Sequence, residues 1–184
     1  MVKTKLNTRT MILCSFFTAL IAIGAFIRIP LPVTVFSLQF TFVLLAGMIL
    51  GSKGGALASL LYVVIGLIGF PIFTEGGGLG YLLKPTFGYL IAFIAASYIV
   101  GLTREKFGTQ SVGKLIAGCI LAMLVTYLIG TVYTYFILKN VMHNPIPYWA
   151  CLASLFPFAI AKDIFSCIVV SLVAPRLLKI VNSN

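Results

Sequence analysis

The sequence runs in long apolar stretches separated by short polar, Gly- and Pro-rich breaks. These stretches predict helices over 10–29, 36–51, 54–73, 85–102, 113–138 and 150–178. Most approach the ~20 residues a helix needs to cross a bilayer, and the breaks have identifiable causes. Pro30 and Pro32 end the first helix because each lacks a backbone N–H and restricts the residue before it. Gly51-Ser52-Lys53-Gly54-Gly55 predicts a tight turn. Residues 70–85 form the most unusual loop, with Pro71, Gly76-Gly77-Gly78, Gly80 and Pro85. Residues 103–112 and 139–149 are the other polar loops, the second marked by Asn144-Pro145-Ile146-Pro147. The pattern predicts an all-α integral membrane protein, a single compact bundle of six transmembrane helices over residues 1–184.

Composition agrees with lipid as the solvent. The chain is 61% hydrophobic and 9% charged, with a mean hydropathy of +1.15, whereas soluble domains are about 45–50% apolar and about 25% charged. The charged start at Lys3, Lys5 and Arg9 resembles the head of a signal peptide. The run after it leads into Arg28-Ile29-Pro30 rather than a small-residue cleavage site, so it reads as a span. Cys14, Cys119, Cys151 and Cys167 all fall inside apolar runs without metal or redox spacing, and read as small apolar residues.

The net charge of +10 does not indicate nucleic acid, because the basic residues follow the loops. Six spans place Lys3, Lys5, Arg9, Lys53, Arg104, Lys106, Lys114, Arg176 and Lys179 on one side, against Arg28, Lys84 and Lys139 on the other. By the positive-inside rule both termini are cytoplasmic, in a multi-pass cell-membrane protein. The loops 30–35, 70–85 and 139–149 then face outward together.

Candidate chemistry is sparse. Asp163 is one of three acidic residues and lies within an apolar run, where a charge costs about 2.5–3.5 kcal/mol on insertion scales. It therefore faces a cavity or a partner. Lys162 is adjacent, about 100° away around the helix, and snorkels or lines another wall. Lys84 precedes Pro85 at a helix start, where an ammonium and free N–H groups make an anion site or Lys84 simply snorkels. Gly78 and Gly80 allow close backbone approach to a ligand or form an ordinary turn. Glu75 reads as a solvated loop charge or a ligand contact. Tyr81, Tyr89, Tyr148 and Trp149 suit an interfacial aromatic belt as well as a ligand wall, and Gln39 is a polar group near the start of the second helix. Residues 108–114 match seven positions of a phosphate-binding loop, but Leu115 replaces the Mg²⁺-binding hydroxyl and no strand precedes it. The single His143 has no catalytic companion, so an enzyme is not expected, and no metal or cofactor is implied. Ser15-x-x-x-Ala19 and Thr18-x-x-x-Ala22 place small residues on one face of the first helix, suited to close packing.

Several segments together carry a family resemblance. They are Leu38-Gln39, Leu45-Ala46-Gly47, Gly54-Gly55-Ala56, Gly66 to Phe73, Gly76-Gly77-Gly78-Leu79-Gly80-Tyr81-Leu82, Pro85-Thr86 with Gly88-Tyr89-Leu90, Pro157-Phe158 with Asp163, and Ala174-Pro175-Arg176-Leu177. The chain resembles the BioY family, the biotin-capturing S components of energy-coupling factor (ECF) vitamin transporters. The resemblance implies a six-helix fold that binds biotin from outside, beneath the outer loops. It implies as partners a membrane-embedded coupling subunit and two ATP-binding subunits, with Ser15, Ala19 and Ala22 facing the coupling subunit. The biotin-binding set expected on this basis is Asp163, Lys84, Gln39, Gly78, Gly80, Tyr81, Tyr89, Trp149, Ser166 and Glu75. Two positions depart from the family pattern. Lys84 stands where Gly is common, and Ser166 stands three residues after the Asp where Lys is common, so Lys84 is expected to supply the cation. An S component for another vitamin and a stand-alone secondary transporter or channel are the alternatives.

Overall fold

The structure, a computed structural model, describes residues 8–30, 35–144, 146–155 and 158–182. Lys3, Lys5, Pro32, Pro145 and Pro157, invoked above for orientation, breaks and resemblance, lie outside the described residues. The elements in order are α1 (Thr8–Phe26), the antiparallel pair β1 (Arg28–Pro30) and β2 (Val35–Ser37), and α2 (Gln39–Ile68). A 3-10 turn (Leu79–Leu83) follows, then α3 (Phe87–Phe107), α4 (Val112–Asn140), α5 (Tyr148–Ala153) and α6 (Phe158–Asn182). Among the described residues, α1, α2, α3, α4 and α6 are long and apolar enough to cross a membrane.

The 30-residue α2 is folded back on itself. A straight helix would hold Gln39 and Tyr62 about 34 Å apart, yet their side chains are hydrogen-bonded at 2.6 Å. The reversal is at Gly51, whose φ of 81° and ψ of −177° are not helical and are costly for any residue with a Cβ. Limbs 39–50 and 52–68 then run antiparallel. A Cβ on Gly55 would lie 2.7 Å from the Gly47 Cα, so glycine lets the limbs touch. The turn is closed from α3. Glu105 accepts from the Ser52 N–H at 2.7 Å and from the Ser52 hydroxyl at 2.8 Å, satisfying the start of the second limb.

With α2 counted as two limbs, the bundle has six long helical segments. The last expected helix, over 150–178, is corrected to two. Helix α5 stops at Ala153 and α6 starts at Phe158, and the sequence between them carries Pro157, which lacks the N–H a continuous helix needs. The loop expected over 30–35 is flanked by the β1–β2 pair, in which Arg28 faces Ser37.

Helix α1 packs chiefly against α2, which also contacts α3 and α6, while α3 packs on α4. The buried centre includes Tyr62, Tyr81, Phe73, Leu44 and Met48. Its polar groups are bonded between helices, as in Ser59 to Ser97 at 3.0 Å and Thr18 to the Ala58 carbonyl at 3.0 Å. Outward-facing residues such as Phe16, Leu128, Phe136, Phe165 and Leu172 are exposed. An apolar outside on helices of spanning length is the pattern of a multi-pass membrane protein. The phosphate-loop lookalike is a helix connection. Gly108 ends α3 with a φ of 69°, and Lys114 lies in the first turn of α4 with its ammonium 4.8 Å from the centre of the Phe107 ring.

Candidate functional site

The site lies at the end of the bundle away from Gly51. Asp163 sits in the second turn of α6 and is 5% exposed. Its Oδ2 accepts a 2.6 Å hydrogen bond from the Tyr127 hydroxyl of α4. Its Oδ1 lies 2.5 Å from Lys162 Nζ in an ion pair, and no other polar group among the described residues bonds it. Lys162 also donates to the Ser37 carbonyl of β2 at 2.6 Å. The expectation that Lys162 snorkels or lines another wall is therefore corrected. Its four-carbon stem bends the ammonium back to the neighbouring carboxylate, because an unpaired buried charge costs more than the bend.

Asp163, Lys162 and Tyr127 line a cavity of about 50 Å³ with Ser37, Phe40, Tyr89, Phe93, Thr126, Leu155 and Ala159. A second space of about 40 Å³ shares Ser37, Tyr89 and Phe93 and adds Gln39, Thr74, Thr86 and Leu90. The two small spaces adjoin through these shared residues, and their aromatic walls with a few polar groups are the lining of a small-molecule site.

The structure places the expected site residues unevenly. Asp163 and Tyr89 line the first cavity, and Gln39 and Tyr89 line the second. Gln39 is already engaged. Its amide donates to the Tyr62 hydroxyl, its carbonyl accepts from Ser37 at 3.1 Å, and Tyr62 donates onward to the Ile72 carbonyl at 2.9 Å. Tyr81 is buried beside this network, its hydroxyl bonded to Thr74 and Thr86 and its ring tilted against Phe73. Gly78, with φ 90°, donates to the Gly66 carbonyl at 2.7 Å and holds the 70–85 loop on α2. Nothing stands within 4 Å of the position of a Cβ on Gly80.

Lys84 and Glu75 lie outside the cavity linings, ion-paired at 3.3 Å. The Lys84 ammonium also donates to the Glu75 carbonyl and sits 5.5 Å from the Tyr81 ring centre. Glu75 thus has a definite partner. Ser166 is buried one turn from Asp163, 2.7 Å from the Thr41 hydroxyl. Trp149 is 68% exposed on α5 and lines neither cavity. On α1, Ser15 and Ala19 are exposed and Ala22 is half-buried.

The sequence reading did not select Tyr127, Thr126 or Ser37 for the site, and it left Lys162 out of the binding set. The available signal for Tyr127 is a hydroxyl in the middle of an apolar run on a helix that must face Asp163.

The sequence matches the BioY family over residues 1–183. The chain belongs to the BioY family. Among BioY relatives, it is 38% identical over 178 residues to the "Probable biotin transporter BioY" of Lysinibacillus sphaericus, covering 96% of this chain and 90% of that protein. It is 36% identical over 173 residues to the "Biotin transporter BioY" of Thermotoga maritima, covering 94% and 97%. The fold matches a crystal structure of the S-component for biotin from an ECF-type ABC transporter with a TM-score of 0.81 at 25% identity, over 97% of this chain and 95% of the other. The S component of a bacterial ECF transporter matches with a TM-score of 0.61 at 23% identity, which speaks to the fold alone. The bundle is an S-component fold of six helices.

Proposed function

We propose that this BioY-family chain is the substrate-capture subunit of an ATP-driven uptake system, and that its ligand is biotin. One observation carries the ligand assignment within the family: the buried Asp163 has one oxygen held by Tyr127 and the other, on the cavity wall, met only by Lys162 among the described residues. A ureido N–H placed there adds a charge-assisted bond on the remaining lone pair of that oxygen. Phe40, Tyr89 and Phe93 offer aromatic surface to the apolar, sulfur-containing side of the bicycle.

In this reading the valerate extends toward the 70–85 loop, where Lys84 and the amides before α3 receive its carboxylate. Lys84 leaves Glu75 to do so, a modest exchange because the pair is about 40% exposed. Tyr81, Gly78 and Gly80 shape this end, and Glu75 is the resting partner of Lys84. Ser166 supports α6 through Thr41. Trp149 serves at the membrane interface, which its exposure favours over a place in the wall.

The partners proposed are a membrane-embedded coupling subunit and two ATP-binding subunits. The exposed small side chains of Ser15 and Ala19, with Ala22 beside them, suit helix-to-helix contact within lipid. Both termini are placed in the cytoplasm of a cell-membrane protein, on the distribution of basic loop residues. Native mass spectrometry after gentle purification tests the ligand. Bound biotin is expected, and a different vitamin at stoichiometric occupancy overturns the assignment.

A further inference from the structure

Lys162 has no role in the binding set drawn from sequence, yet its ammonium is the group that meets Asp163 Oδ1. It is also fixed in place. It reaches the Ser37 carbonyl at 2.6 Å and Asp163 Oδ1 at 2.5 Å, and its side chain is only 14% exposed. Tyr127 occupies Oδ2, so a ligand donor meets Oδ1 alone and meets it within a few ångströms of a positive charge. A lone buried carboxylate would favour a cationic donor. The same carboxylate with its charge already balanced adds little for a cation, which must also be stripped of water and held near a like charge. A neutral N–H donor bears neither cost.

We propose that Lys162 is a specificity-determining residue that makes this site select a neutral cyclic urea over a cyclic guanidinium at the Asp163 subsite. The inference rests on the biotin reading above and adds to it what the pocket rejects. Lys162 acts through charge at a fixed position, so its contribution is read in the preference between two ligands of one shape.

The experiment compares biotin with 2-iminobiotin, which replaces the ring carbonyl with a protonated imine and keeps the valerate arm. Both are titrated calorimetrically into the purified full chain. The unaltered protein is expected to prefer biotin, and Lys162→Met to narrow that preference by about tenfold or more. Lys162→Arg, which keeps the cation, is expected to retain it. A preference unchanged in Lys162→Met overturns the inference while leaving biotin binding intact. Should Lys162→Met fail to fold, Lys162→Gln, which keeps a hydrogen-bond donor and removes the charge, takes its place with the same narrowing expected, and an unchanged preference overturns the inference. Absence of biotin binding by the unaltered chain overturns the functional reading itself, and this inference with it.

Discussion

Gln39 and Tyr62, 23 residues apart in sequence, are joined side chain to side chain at 2.6 Å, tying together the two limbs of α2 at the end far from their Gly51 turn. Through Ser37 and the Ile72 carbonyl the same pair connects the β1–β2 segment to the 70–85 loop. Tyr62→Phe leaves the buried Gln39 amide short of a partner and the Ile72 carbonyl without its donor. The expected loss is about 1–3 kcal/mol of stability, read as a lower melting temperature in detergent. A double-mutant cycle with Gln39→Leu is expected to show coupling, because the residues share one network. Additive losses would contradict the network.

Gly51→Ala tests the reversal itself. The φ of 81° strains any side chain, and the added Cβ meets Glu105 and, at 2.8 Å, the Arg104 guanidinium. A destabilisation of about 1–3 kcal/mol is expected from backbone strain alone. An unchanged melting temperature would contradict the turn geometry.

Glu105 closes that turn from α3. Glu105→Ala removes two acceptors at the start of the second limb and is expected to cost about 1 kcal/mol, as for loss of a helix cap. Glu105→Gln keeps one carbonyl acceptor and should fall between the two. Biotin affinity should change little, since Glu105 lies at the opposite end from Asp163. A large affinity loss in a folded Glu105→Ala protein would contradict that separation.

Lys84→Ala distinguishes a carboxylate contact from a loop-stabilising ion pair. If Lys84 moves from Glu75 to the ligand, the variant loses more affinity for biotin than for biotin amide, by about tenfold. Equal losses for the two ligands, measured by calorimetry, would assign Lys84 to holding Glu75 and Tyr81 only.

The parts of this molecule that were legible in sequence are those governed by local physics. Apolar run length gave the spans, and Gly51 to Gly55 marked the reversal because only glycine tolerates that backbone and that closeness. Asp163 stood out because a charge in an apolar run needs a reason. What was not legible depends on tertiary proximity or on side-chain flexibility. Tyr127 looks like one more interfacial or packing aromatic until α4 is set against α6. Lys162 points away from Asp163 on a helical projection, and only a long stem bending back brings the two together. The break between α5 and α6 was hidden because the apolar run continues through Pro157. Glu75 and Lys84 are nine residues apart in a loop whose course the Gly-rich sequence leaves open.

The central claim is that Asp163 Oδ1, paired with Lys162 alone among the described residues, receives a ligand N–H. Calorimetric titration of biotin into the purified chain and into Asp163→Asn measures it most directly, with melting temperatures recorded to confirm that both are folded. Tight binding by the unaltered protein is expected, with a loss of about 10- to 100-fold in Asp163→Asn, the worth of a charge-assisted hydrogen bond. Equal affinity in the two folded proteins would contradict it.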